Sequence, residues 1–194
     1  MPLVGYGTYR TSNRDAARLV SEALALGYRH VDTAQCYGNE SGVGKAIAER
    51  GIPRDELFVT TKTSTSGYAD TARSIDASLS DLRSYYVDLL LVHEPSGDVG
   101  GIWRALEEAY RAGKARAIGV SNFLGRDFAR LLEIAAISVL VSLKLKTLRF
   151  SRMRRGSADF GMTGIPRWTS QRKPTWAMLA PWARAIPAST ESLK

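Results

Sequence analysis

One cysteine and two histidines are all that this 194-residue chain offers to thiol or imidazole chemistry. With Cys36 alone, no internal disulfide can form and no cysteine-built zinc site can be assembled, and two histidines are too few for a histidine-rich metal centre. No metal is expected. Long apolar runs are missing too. None approaches the roughly 18 residues of a spanning helix, and the opening "MPLVGYGTYR" has neither the basic start nor the apolar stretch of a secretory signal. A cytoplasmic monomer with no membrane partner is the expectation.

Acidic residues are scarce in only one part of the chain. Residues 1–137 carry 16 Lys and Arg against 17 Asp and Glu, whereas residues 138–194 carry 11 against 2. The net charge of +8 therefore belongs to the C-terminal segment. That segment also holds Trp168, Trp176 and Trp182. Arginines interleaved with aromatics can stack on bases, yet no nucleic-acid-binding module is legible there, and a charge run is more often a solvated segment. Nucleic acid ranks last among the partners considered. The composition divides the chain into residues 1–137 and an irregular basic tail, 138–194.

What is present in the first part is a rhythm. "DAARLVSEALALGYR" sets Ala17, Val20, Ala23, Leu24 and Leu26 near a helical stripe and reaches Gly27 where a helix would stop, and "HVDTA" follows as a short strand. The alternation repeats: helix "ESGVGKAIAERGI" and strand "LFVTTKT", helix "TARSIDASLSDLRSYY" and strand "VDLLLVHEP", helix "GIWRALEEAYRAGK" and strand "ARAIGVSNF". "PLVGYGTY" adds a first strand and "RDFARLLEIAAI" a last helix. Nearly continuous apolar strands between amphipathic helices predict a parallel sheet covered by helices, either open and doubly wound or closed as a barrel. Periodicity does not choose between the two. Beyond Ser138, "VLVSLKLKTLRF" alternates Leu with Lys as a strand would, and the remainder keeps no period. The tail is expected to be less ordered than the core.

The stretch "HVDTAQCYGNE", His30 to Glu40, is too polar for packing alone. In parallel α/β folds the C-terminal ends of strands converge on one face, where the chemistry sits. Asp32 and Tyr37 follow the second strand, Lys62 ends the third, His93 the fourth, and Ser121 and Asn122 the fifth. Singly, each has an ordinary reading: a turn, a solvated lysine, a structural histidine. Four strand ends in register outweigh those readings. A buried ammonium near a phenol favours phenolate and so lowers the phenol pKa, and a carboxylate keeps the ammonium charged. Asp32, Lys62 and Tyr37 can form such a relay, with His93 aiming a ring nitrogen at the same oxygen. The set suits protonation of a carbonyl oxygen as a hydride reaches its carbon from a nicotinamide.

"GYGTYR", "GYRHVDTAQCYGNESGVGKAI", "LFVTTKT", "DLLLVHEP" and "GKARAIGVSNF" together resemble the successive signatures of the aldo-keto reductase superfamily, a (β/α)₈ TIM barrel that uses NADPH. The resemblance covers residues 1 to about 136. It implies reduction of small carbonyl compounds, with Tyr37 as proton donor, Lys62 and Asp32 tuning it, and His93 orienting and binding the substrate. It implies further that Ser121 and Asn122 grip the nicotinamide carboxamide and that Thr8, Tyr9 and Asp32 lie beside the cofactor. Gln35, Cys36 and Asn39 read as loop residues around Tyr37.

After Ile137 the family's later signatures are not legible, except that "RAIPASTESLK" resembles a phosphate loop in which Ser189 would contact the cofactor phosphate and Ala188 replaces the usual Lys. The sequence thus predicts about half of a barrel in residues 1–137 and a tail carrying a remnant phosphate-loop motif at 185–190. Two readings stand beside each other: an NADPH-dependent carbonyl reductase, and a catalytically inactive relative whose barrel is incomplete.

Overall fold

The computed structural model describes residues 1–137 and the backbone of residues 140–142, all within one compact unit of the chain, Met1–Thr147. Strand and helix alternate from end to end: β1 (Tyr6–Gly7), α1 (Asn13–Ala25), β2 (His30–Asp32), α2 (Glu40–Arg50), β3 (Phe58–Thr63), α3 (Tyr68–Asp81), β4 (Leu89–Val92), α4 (Val99–Arg111), β5 (Ile118–Ser121), α5 (Gly125–Ile134) and β6 (Leu140–Ser142). The strands form one six-stranded sheet in chain order, with every pairing parallel.

That order decides between the two architectures left open by periodicity. A doubly wound sheet reverses strand order at a switch point, and this sheet never does. Consecutive helices pack side by side, α1 on α2 through to α4 on α5, so the crossovers share one face. The arrangement is a partial (β/α)₈ barrel.

The register assigns the two faces of the sheet. Val31 pairs with Val59, and Leu90 with Ile118; alternate residues share a face, so Val31, Val59, Leu90, Val92, Ile118 and Val120 all point toward the helices. There they meet Val20 and Leu24 of α1, Val43 of α2, Ile75 of α3, Trp103 and Leu106 of α4 and Leu131 of α5 in one buried cluster. Each such side chain contributes roughly 1.5–3 kcal/mol of burial. The opposite face carries His30, Asp32, Thr60, Lys62, Leu91, Gly119 and Ser121. One face builds the core, and the other is left for chemistry.

Local signals explain how the elements start and how closely they approach. Ser12 caps α1, its Oγ accepting from Asp15 N at 3.1 Å, and Asp98 caps α4 by accepting from Gly101 N at 2.9 Å. α2 runs against both neighbouring helices through two glycines. A Cβ at Gly42 would stand 2.1 Å from Asn13 O, and one at Gly44 would stand 2.2 Å from Asp81 O. No larger residue fits at either position. Among the described residues no helix is long and apolar enough to cross a membrane.

Candidate active site at the strand ends

After Asp32 the chain turns through a short 3₁₀ segment, Gln35–Tyr37, that closes on left-handed Gly38. Two amide side chains hold this turn against its neighbours. Asn39 is fully buried; its Nδ2 donates to Thr8 O and Thr11 O, both at 2.9 Å, and its Oδ1 accepts from Thr33 Oγ1 at 2.8 Å and Thr8 Oγ1 at 3.2 Å. Gln35 donates from Nε2 to Ser74 O at 3.1 Å and Ser78 Oγ at 2.9 Å, and accepts from Ser64 N at 3.0 Å. The turn that carries Tyr37 is thereby bonded to the loops after β1 and β3 and to α3.

Lys62 is 4% exposed, which for an ammonium demands partners. Its Nζ donates to Asp32 Oδ1 at 2.6 Å and to Thr33 O at 2.8 Å. The same Nζ lies 5.2 Å from the centroid of the Tyr37 ring. The His93 ring meets Tyr37 edge-on at 5.7 Å, and the Tyr9 ring is tilted against Tyr37 at 5.1 Å. Asp32, Tyr37, Lys62 and His93, predicted from strand ends, are thus brought together at one rim.

The electrostatics differ from the sequence expectation. Tyr37 is not lowered but pushed up to about 12, first by burial and then by the charge of Asp32. The reason is that burial penalises the charged phenolate most, and the nearby Asp32 carboxylate repels it further. The phenol of this structure is a firmly held acid.

Ser121 and Asn122 stand at the end of β5. Asn122 adopts a left-handed φ of 61° and donates from Nδ2 to His93 O at 2.8 Å and to Ser121 Oγ at 3.2 Å, coupling the β4 and β5 ends. A carboxamide ligand needs one acceptor and one donor. The Oδ1 of Asn122 and the hydroxyl proton of buried Ser121 match that pair, so the residues present fit a nicotinamide. Thr8 is buried at the end of β1, donating to Asp32 O at 3.2 Å, and Tyr9 is exposed beside Tyr37. Ser189 and the motif at 185–190 lie outside the described residues.

Sequence reasoning passed over one member of the cluster. Cys36 was read as a bystander, yet its Sγ lies 3.2 Å from His93 Nδ1, with Ser64 Oγ at 3.5 Å from the same nitrogen. Its place immediately before Tyr37 is the only sequence signal that could have found it. Among the described residues no group of acidic, histidine or cysteine side chains is arranged to hold a metal.

The chain is similar to known proteins. Residues 3–153 match the aldo/keto reductase family. The chain is 43% identical over 146 residues to the glyoxal reductase of Bacillus subtilis, an alignment covering 73% of this chain and 53% of that protein. Among solved structures, an aldo/keto reductase from Brucella melitensis superposes with a TM-score of 0.71 at 45% identity, covering 75% of this chain and 59% of that one. A Bombyx mori aldo-keto reductase in complex with NADP superposes with a TM-score of 0.69 at 33% identity, covering 75% and 55%. The chain spans about half the length of the curated relatives it matches.

Proposed function

Because the chain belongs to the aldo/keto reductase family, we propose that it reduces small aldehydes or ketones to alcohols with NADPH, Tyr37 giving the proton. One observation carries this reading. A buried ammonium, held by Asp32 at 2.6 Å, lies beneath a phenol that also meets an imidazole edge. Nothing in core packing calls for that combination at a strand end.

Carbonyl reduction needs a hydride at carbon and a proton at oxygen, and a bound nicotinamide supplies the hydride. This chain's residues do the rest. Ser121 and Asn122 hold the carboxamide, while Thr8, Tyr9 and Asp32 line the neighbouring strand ends. His93 donates a ring N–H to the carbonyl oxygen and fixes its direction. The Tyr37 hydroxyl then passes its proton to that oxygen. Lys62 offsets the negative charge left on the phenol, and Asp32 keeps Lys62 charged inside a site where a lone ammonium would lose its proton. A phenol held near 12 is protonated at neutral pH but is a weak acid, so the transfer depends on Lys62 steadying the phenolate as it forms.

We place the protein in the cytoplasm as a monomer, with the reductase part running from the N-terminus through β6. The test is direct. Full-length chain is titrated with NADPH while tryptophan fluorescence is followed, and NADPH oxidation is then recorded with glyoxal as the first carbonyl. Quenching with turnover is expected. Neither binding nor turnover would replace this reading with that of a catalytically inactive relative.

A further inference from the structure

We propose that Cys36 is a positioning residue that sets the tautomer and orientation of His93, keeping the ring proton on Nε2. The consequence for catalysis rests on the carbonyl-reduction reading above; the geometry does not.

A neutral imidazole has one donor and one acceptor nitrogen, and which is which follows from what the other nitrogen meets. The Nδ1 of His93 faces the Cys36 thiol at 3.2 Å and, at the limit of hydrogen-bond reach, the Ser64 hydroxyl at 3.5 Å. Both neighbours can donate. As an acceptor, however, a thiol sulfur is weak, whereas the bare ring nitrogen of imidazole is basic. The better match is S–H donating to an unprotonated Nδ1. That leaves the proton on Nε2, the nitrogen a carbonyl oxygen would need as donor.

The rest of the residue is already pinned. His93 N donates to Thr63 O at 3.0 Å, its carbonyl accepts from Asn122 Nδ2 at 2.8 Å, and its ring edge meets Tyr37. What the backbone bonds leave open is the ring's rotation and its tautomer, and Cys36 acts on both. Cys36 and Tyr37 share one 3₁₀ turn. A single turn therefore delivers the acid and the group that orients its partner.

The experiment uses full-length chain labelled with ¹⁵N-histidine, without cofactor, at a pH where the ring is neutral. Only two histidines are present, so His93→Gln assigns the spectrum by deletion. Wild-type His93 is expected to show an unprotonated Nδ1 and a protonated Nε2. Cys36→Ser, which keeps a donor, should preserve that pattern. Cys36→Ala and Cys36→Val should move the Nδ1 resonance toward the protonated range, lowering kcat roughly twofold to tenfold as the competent fraction falls, with NADPH affinity unchanged and turnover restored in Cys36→Ser. A wild-type Nδ1–H form overturns the proposal, as does a spectrum indifferent to both apolar substitutions. If either apolar variant fails to fold, the other and the wild-type spectrum still decide. A responsive tautomer in a chain without turnover would sink carbonyl reduction and leave this inference standing; turnover with an unresponsive tautomer would do the reverse.

Discussion

The two ends of the sheet each pair a carboxylate with a cation, and they do so in opposite ways. At the start of β4, Asp88 accepts from Val59 N at 2.9 Å and pairs with Arg54 at 2.8 Å and Arg116 at 3.3 Å. Both guanidiniums also stack on the Tyr86 ring, at 4.2 and 4.0 Å. Both oxygens there are engaged. At the far end, Asp32 has a side chain 37% exposed, with a half-buried phenol, Tyr37, and an exposed thiol, Cys36, in the turn that follows. Saturation closes a site and holds strands together; incomplete saturation leaves groups able to bind and exchange protons. That division matches the general behaviour of barrels, in which one end carries stability and the other chemistry.

The comparison breaks most sharply at Tyr37. Its contacts run through the ring, to Tyr9, His93 and Lys62, and Phe keeps that ring. Tyr37→Phe is expected to lower kcat about 10²- to 10⁴-fold, the usual worth of a positioned acid, with the unfolding midpoint unmoved. Steady-state NADPH oxidation beside a denaturant titration measures both. A variant as active as wild type would remove Tyr37 from the mechanism.

Asp88→Ala should show the mirror image. It leaves Arg54 uncompensated and Val59 N without its acceptor. Breaking a buried pair costs about 3–5 kcal/mol, and the half-exposed side chain of Arg116 can return to water, which puts the expectation near 3 kcal/mol. Urea unfolding followed by far-UV circular dichroism reads the loss, while NADPH affinity measured below the transition should stay the same. A drop in affinity with stability intact would invert the assignment of the two ends.

Glu107 tests whether the stabilising style extends beyond the sheet. This buried α4 carboxylate accepts from Trp103 Nε1 at 2.8 Å and from the backbone of Ala136 and Ile137 at 2.7 and 3.1 Å, fastening the chain just before β6. Glu107→Ala should cost about 1–3 kcal/mol for the donors left without a partner. Amide exchange at Ala136 and Ile137 is expected to rise together with that loss. Unchanged protection there would show that the fastening lies elsewhere.

These contacts also mark what a sequence can say. The parallel alternation and the gathering of Asp32, Lys62, His93 and Ser121 at one end of the sheet were legible because both follow from local period and from which end of a strand faces outward. Element limits were legible only where a signal was local. The third helix was expected over 71–86 but occupies Tyr68–Asp81. It ends because Arg83 takes a left-handed φ of 50° and Ser84 N returns to Leu79 O, a stop usually marked by glycine. The fourth was expected from Gly101, yet it starts at Val99 because Asp98 caps it and overrides the "GG" that reads as loop. Partners such as Arg54 with Asp88, or Cys36 with His93, lie tens of residues apart in sequence, where no local period reaches. The expected direction of the Tyr37 shift failed for a related reason: proximity of an ammonium was readable, but not the burial of the phenol, which raises its pKa most.

A third buried carboxylate sharpens the comparison, and its effect should be the smallest. Glu40 is 6% exposed and is held by hydroxyls rather than cations: Thr61 Oγ1 donates to Oε1 at 2.5 Å and Ser78 Oγ to Oε2 at 3.0 Å. Burial raises its pKa above the ordinary glutamate value, the two hydroxyl bonds oppose that shift, and Asp81 adds to it. A raised acid binds its proton more tightly in the folded chain than in the unfolded one. Its stabilising contribution is therefore complete below the pKa of an unfolded glutamate, about 4.3, and is lost as pH climbs from there through the higher folded value. Glu40→Gln keeps the shape and can still accept from Thr61 while donating to Ser78, so at neutral pH it should change stability by no more than about 1 kcal/mol, in the stabilising direction if in either. It should also flatten the decline in stability above that unfolded pKa, measured as urea midpoints from pH 4 to 8. A loss of several kcal/mol, comparable with Asp88→Ala, would mean that the charge itself is needed at position 40 and that hydroxyls can hold a carboxylate as firmly as two arginines do.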